Sequence, residues 1–154
     1  MASGDHARIL APPPLLTLLC VVAGLIAHYF LPLPLMPEGY RIPIGATILL
    51  IVLILGVLAL GRFGAAGEHP SPYQPTHRLM DTGIYSRTRN PIYLSMLLVM
   101  LSSAAFANSA WLLVSGVALF FLLHFGVVKR EESYLSEKFG SEYDDYRRRV
   151  RRWI

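Results

Sequence analysis

From Pro91 to Val128 the chain runs 38 residues without one Asp, Glu, Lys or Arg. A helix rises about 1.5 Å per residue and a hydrocarbon core is about 30 Å thick, so about 20 apolar residues cross it once. The run is nearly two crossings long, and Asn108-Ser109 puts a polar dent near its middle, so it reads as a helical hairpin. Two shorter uncharged blocks precede it, Leu15–Leu31 with 17 residues and Ile42–Leu60 with 19. The fold class that follows is all-α: a polytopic membrane helical bundle with four transmembrane helices, at about 15–33, 42–61, 91–107 and 110–128. The first is expected to be retained, because Pro32, Pro34 and Pro37 stand where a signal peptide needs small residues for cleavage.

Composition agrees. Of the 154 residues, 54% are hydrophobic and 16% charged, whereas a soluble domain carries about 25% charge. The length fits a single domain over 1–154. The one cysteine, Cys20, excludes an internal disulfide and a cysteine-based zinc site, and no histidine pair has ligand spacing, so no metal is expected.

The basic residues set the expected orientation. Of 14 Lys and Arg, Arg8 precedes span one and Arg41 lies between spans one and two. Four (Arg62, Arg78, Arg87, Arg89) lie between spans two and three, and eight follow span four. On four spans, 13 of the 14 share one side, which the positive-inside rule makes cytoplasmic, with both termini inside. That is an integral multi-pass protein, of the inner membrane if the cell is bacterial. The net charge of +4 is then accounted for by topology and anionic lipid headgroups rather than nucleic acid. The run Arg147-Arg148-Arg149 with Arg151-Arg152 is expected to be solvated and lipid-facing. No obligate protein partner is evident.

Two segments on the charged side gather the residues suited to chemistry, 69–93 and 129–154. In the first, Asp81-Thr82-Gly83 reads as a turn with Gly83 at positive φ, and Asn90-Pro91 as an N-cap and first residue of span three. Free N–H groups at that helix start, with Arg89 beside them, suit a small anionic group. Tyr85 and Tyr93 suit the flanks of a flat ring or a cation. An ordinary capped membrane helix with interfacial tyrosines and arginines has the same spacing. In the second segment, Glu131 and Glu132 follow the apolar part of span four. Neighbouring helical residues point about 100° apart, so one is expected to face the bundle and the other solvent, Lys129 or Arg130. Gly140 is expected to end that helix, and Ser141 with Asp144 to open another as a capping box. Its apolar side, Tyr143, Tyr146, Val150 and Trp153, fits an amphipathic cap lying along the membrane or folded back on the bundle. The two turns on the opposite side are short and nearly featureless. Within the spans, His28 and His124 are expected to be neutral, each with one hydrogen bond to a neighbouring helix.

Gly83-Ile84-Tyr85, then Arg89-Asn90-Pro91-Ile92-Tyr93, then Glu131-Glu132 with Leu135, Phe139-Gly140, Tyr143 and Tyr146, resemble the isoprenylcysteine carboxyl methyltransferase and phospholipid methyltransferase superfamily. The resemblance covers about residues 70–154. It implies S-adenosylmethionine as cofactor, held at the cytoplasmic helix ends beneath a C-terminal helical cap. It also implies cofactor contacts from His77, Arg78, Leu79, Met80, Tyr85, Asn90, Pro91, Ile92, Tyr93 and Glu131. Arg89 and the start of span three suit the methionyl carboxylate, and Glu131 the ammonium or sulfonium. A lipophilic acceptor, a carboxylate or an amine, would enter from the bilayer. Glu132 is the candidate catalytic residue, as base or as orienter of the acceptor. The sequence departs from the pattern at Asn90, where histidine is frequent, at Ser95, where glycine is common, and at Val127, where the prenylcysteine branch carries arginine. Two other readings stay open: an NADPH-dependent membrane reductase, since sterol-reductase-like enzymes resemble the same C-terminal segment, and a non-catalytic helical membrane protein.

Overall fold

The computed structural model describes residues 7, 9–71 and 73–154, so Arg8, counted above, lies outside the described residues. Every long element is helical: α1 Pro13–Phe30, α2 Glu38–Ala66, α3 Pro91–Phe106, α4 Ala110–Leu123, α5 Lys129–Phe139 and α6 Ser141–Arg149. A 3-10 turn over Gly83–Ser86 precedes α3, and one π turn, His124–Val128, joins α4 to α5. Three stretches are long and apolar enough to cross a membrane: α1, α2 and the 30-residue rod Ala110–Phe139, whose uncharged part ends at Val128. At 16 residues, α3 is shorter, about 24 Å at the usual helical rise. The chain is thus a multi-pass, all-helical protein.

Boundaries follow backbone chemistry more than hydropathy. α1 stops at Phe30, short of position 33, because Leu31 is pushed to φ −137° and ψ 83° ahead of Pro32. α2 begins earlier and ends later than its apolar block, running 29 residues to Gly67, which caps it at φ 67°. Its last two turns carry Phe63 beyond the apolar block toward the charged loop.

Packing order is α2 against α3, α3 against α4, and α4 against α1. Small residues permit the close crossings. At Gly24 an added Cβ would lie 2.7 Å from Leu112 Cδ2 and 3.1 Å from the Leu112 backbone. At Gly45 it would lie 2.8 Å from the Phe106 ring, and the Gly45 carbonyl accepts from Ser102 Oγ at 3.0 Å. The core is Leu16, Cys20, Met100, Ala104, Leu112, Leu119, Leu123, Val127 and Val128.

The uncharged end is not featureless, as its composition implied. Asn108, at φ 47°, accepts on Oδ1 from Leu35 and Met36 N–H, each at 2.9 Å, and donates from Nδ2 to Met36 O at 2.9 Å. Ala110 N–H and Trp111 Nε1 donate to Leu33 O and Leu31 O at 2.9 and 2.8 Å. One asparagine therefore ties the α1–α2 connection to the hairpin turn.

At the other end, the π turn shifts the register of α5 against α4. The carbonyl of Gly126 accepts from Leu10 N–H at 2.9 Å, fastening the segment before α1. The cap takes the second of its two expected forms: Tyr143, Tyr146 and Val150 are buried against Leu79, Leu135 and Phe139, so α6 folds back on the bundle. Ser141 is the first helical residue rather than the cap, and no side-chain capping bond forms there. Trp153 packs beside His124 and Phe120. The expected histidine hydrogen bonds are not seen at Nδ1, which is buried without a partner in both His28 and His124; His124 is held by ring stacking instead.

Candidate active site

Two hollows adjoin at the charged end. The larger, about 610 Å³, is mostly apolar; Pro12–Pro14, Gly56, Leu60, Ile92 and Met96 form its inner walls. The smaller, about 70 Å³, lies under the cap and is lined by His69, Thr76, Arg78, Met80, Glu132, Tyr143 and Tyr146 among others. Phe63, Pro70, Ser71, Tyr85, Arg89, Asn90 and Glu131 line both. Among the described residues, Glu131 is the only carboxylate and Arg89 the only basic residue common to the two.

Each shared group has a structural reason for its place. Gly83, at φ 63°, turns the chain so that Tyr85 is buried; its ring meets Phe63 edge-on at 5.8 Å, and its carbonyl accepts from Tyr146 Oη at 2.7 Å. Asn90 holds the N-cap position but does not cap: its Nδ2 donates to Arg152 O at 2.9 Å. The first helical bond of α3 runs from Leu94 N–H to Asn90 O, so Ile92 and Tyr93 N–H have no acceptor within the helix. Both residues line the larger hollow.

Glu131 and Glu132 both turn inward, contrary to the expectation that one would face solvent or its basic neighbours. Glu131 Oε2 accepts from Tyr93 Oη at 2.8 Å. Burial raises the Glu131 carboxyl above its ordinary range; the Tyr93 bond works against that, and the nearby Glu132 charge adds to it. Glu132 accepts from Arg152 Nε at 2.8 Å and Nη2 at 2.7 Å, and its Oε1 forms an ion pair with Arg89 Nη1 at 3.1 Å. It lines only the polar hollow, and both its oxygens are engaged by guanidinium groups. The Arg89 side chain is 8% exposed; Nη1 also donates to Tyr143 Oη at 3.1 Å, while Nε is buried with no partner. Burial, with the Glu132 charge added, pushes the Tyr143 hydroxyl up to about 12.

Of the residues singled out by sequence, Arg78, Met80, Tyr85, Arg89, Asn90, Glu131 and Glu132 line the polar hollow, and Pro91, Ile92 and Tyr93 the apolar one. Two stand apart. His77 is exposed and lies against Glu68, its Nδ1 3.6 Å from Oε2, and Leu79 packs under the cap with Tyr143 and Tyr146. Arg152 corrects the expectation for the basic run. Arg147, Arg148 and Arg149 are half or more exposed, as solvated residues should be, but Arg152 is drawn in to Glu132. Nothing in an arginine-rich tail marks one member as different; that needed the fold. The sequence does not single out Phe63, Tyr143 or Tyr146 as lining residues, although the three- and four-residue steps from Tyr143 to Tyr146 to Val150 mark the face that turns inward.

The all-helical, multi-pass chain thus sets an apolar hollow against a polar one, with ionisable groups at their junction. Residues 40–142 match the phospholipid methyltransferase family, two thirds of the chain, and the protein belongs to that family. It is therefore a methyltransferase by descent. The match begins within α2, earlier than the motifs themselves, and ends just before Tyr143. The chain is also similar to an uncharacterised protein of Haemophilus influenzae, 42% identical over 66 residues, which is 41% of this chain and all of that one.

Proposed function

We propose that the protein transfers a methyl group from S-adenosylmethionine to a lipophilic acceptor that enters from the bilayer. The observation that carries this is the junction itself: the polar hollow under the cap and the apolar hollow between α2 and α3 share Glu131, Arg89 and Tyr85.

The residues present fit the cofactor. Glu131 is a carboxylate held above its usual range by burial, the kind of group a ligand cation stabilises. Arg89 Nε is a buried donor with no partner, and the Ile92 and Tyr93 amides open the helix beside it, a donor set suited to a carboxylate. Tyr85 and Tyr143 offer aromatic walls. When bound, S-adenosylmethionine supplies a methyl group on a sulfonium sulfur, which departs as a neutral thioether.

The chain's own part is chiefly placement. In-line methyl transfer needs the acceptor atom, methyl carbon and sulfur aligned, and ordering them is worth several kcal/mol. The apolar walls at Leu60, Ile92 and Met96 exclude water and leave the lipophilic body of the acceptor in contact with carbon. A carboxylate acceptor needs no proton removed; an amine must lose one, and Glu131 is the carboxylate at the junction that can receive it. Glu132 is better suited to positioning, since its oxygens are engaged by Arg89 and Arg152. The cap and the loop before α3 face the cytosol in this scheme, where the cofactor is a solute.

Isothermal titration of the purified protein with S-adenosylmethionine and, separately, NADPH tests this. Saturable binding of the first alone is the expected result. Binding of NADPH alone points to a reductase, and binding of neither to a non-catalytic protein.

A further inference from the structure

The ion cluster at the polar hollow holds two arginines and one carboxylate. Arg152 approaches Glu132 with a two-pronged contact, 2.8 and 2.7 Å, while Arg89 meets the same carboxylate through Nη1 alone at 3.1 Å. These three contacting groups carry a net charge of +1. Without Arg152 the Arg89–Glu132 pair would be neutral. With it, Glu132 is claimed mainly by the shorter, two-pronged Arg152 contact, and the surplus positive charge resides on Arg89, whose buried Nε has no partner and which lines both hollows. The tail is fastened in this place by its backbone: Arg151 O accepts from Arg89 N–H at 3.0 Å, and Arg152 O from Asn90 Nδ2 at 2.9 Å.

We propose that Arg152 is a positioning residue that neutralises Glu132, leaving Arg89 free to present net positive charge to the carboxylate of the bound cofactor. The inference rests on the cofactor assignment above and extends it to a residue outside the matched family region, 40–142. A buried charge acts strongly on its neighbours because little water screens it. The effect should therefore be specific to a ligand's anionic group, which a mere clasp of the tail would not produce.

The test is calorimetric binding to the full-length protein of two ligands that differ only in that group, S-adenosylmethionine and decarboxylated S-adenosylmethionine. Arg152→Gln should weaken the first tenfold or more and the second by less than threefold. Arg152→Lys keeps the charge and should bind both within about threefold of wild type. The double variant Arg152→Gln/Glu132→Gln removes one charge of each sign, restores the sum to +1, and should recover most of the loss. Equal loss for both ligands in Arg152→Gln, or no recovery in the double variant, would reduce Arg152 to a clasp and overturn the proposal. Should Arg152→Gln not fold, Arg152→Lys and the double variant decide by the same comparison. A wild-type protein that binds neither ligand overturns the cofactor assignment and this inference with it; binding of both by wild type with an unaltered Arg152→Gln overturns this inference alone.

Discussion

Tyr93 Oη donates to Glu131 Oε2 across 2.8 Å, joining the first turn of α3 to the first turn of α5 at the meeting of the two hollows. This bond opposes the burial that raises the Glu131 carboxyl. Removing it with Tyr93→Phe should raise that carboxyl further and weaken S-adenosylmethionine binding. A hydrogen bond to a charged group is worth about 1.5–3 kcal/mol, so the loss should be about tenfold or more at neutral pH. Calorimetric titration of the variant checks it; unchanged affinity would remove Tyr93 from the cofactor's support.

The raised Glu131 carboxyl also has a pH signature. The folded chain keeps that proton to a higher pH than the unfolded chain does. Its contribution to stability is therefore full below the unfolded carboxyl range and falls as pH rises through the raised value. Affinity for a cationic ligand should run the opposite way, rising over the same interval as the carboxylate forms. Affinity measured as a function of pH should show this rise in wild type, and Glu131→Gln should flatten it.

Arg89 should not be replaceable by lysine. An ammonium cannot hold Glu132 and Tyr143 while leaving a planar N–H aimed elsewhere. Arg89→Lys is expected to cost about tenfold or more in affinity, whereas Arg148→Lys should be neutral, since Arg148 is 71% exposed and paired only with Asp145 among its described contacts. Both variants titrated side by side give the answer, and equal affinities would contradict it.

At the opposite end, Asn108→Ala should lower stability without touching the ligand sites. It leaves the Leu35 and Met36 amides without their acceptor and frees the hairpin turn. Lost hydrogen bonds at about 1 kcal/mol each put the cost at about 2–3 kcal/mol. Thermal unfolding in detergent measures it, with cofactor affinity at low temperature unchanged.

The long apolar helices were legible because an uncharged run is a physical demand: 38 such residues in so small a chain must be kept from water. The hairpin, the turn at Gly83 and the stop at Gly140 were legible for equally local reasons, a polar dent and two glycines. In the sequence Asn108 shows only as a break, since its three-bond clamp depends on Leu35 and Met36, more than 70 positions away. Arg152 was hidden in a run of like residues for the same reason. Glu131 and Glu132 stand out in the sequence, but their joint inward turn follows from partners on α3 and the tail that helical geometry alone does not supply.

The central claim is that methyl groups pass from S-adenosylmethionine to a lipid-phase acceptor at the junction marked by Glu131. Membranes containing the overproduced protein, incubated with methyl-labelled S-adenosylmethionine and then extracted with organic solvent, test it most directly. Label should accumulate in the extract with wild-type protein and fall at least tenfold with Glu131→Gln at equal protein level. Label in the extract no higher than in membranes lacking the protein, or equal with both proteins, would contradict the account.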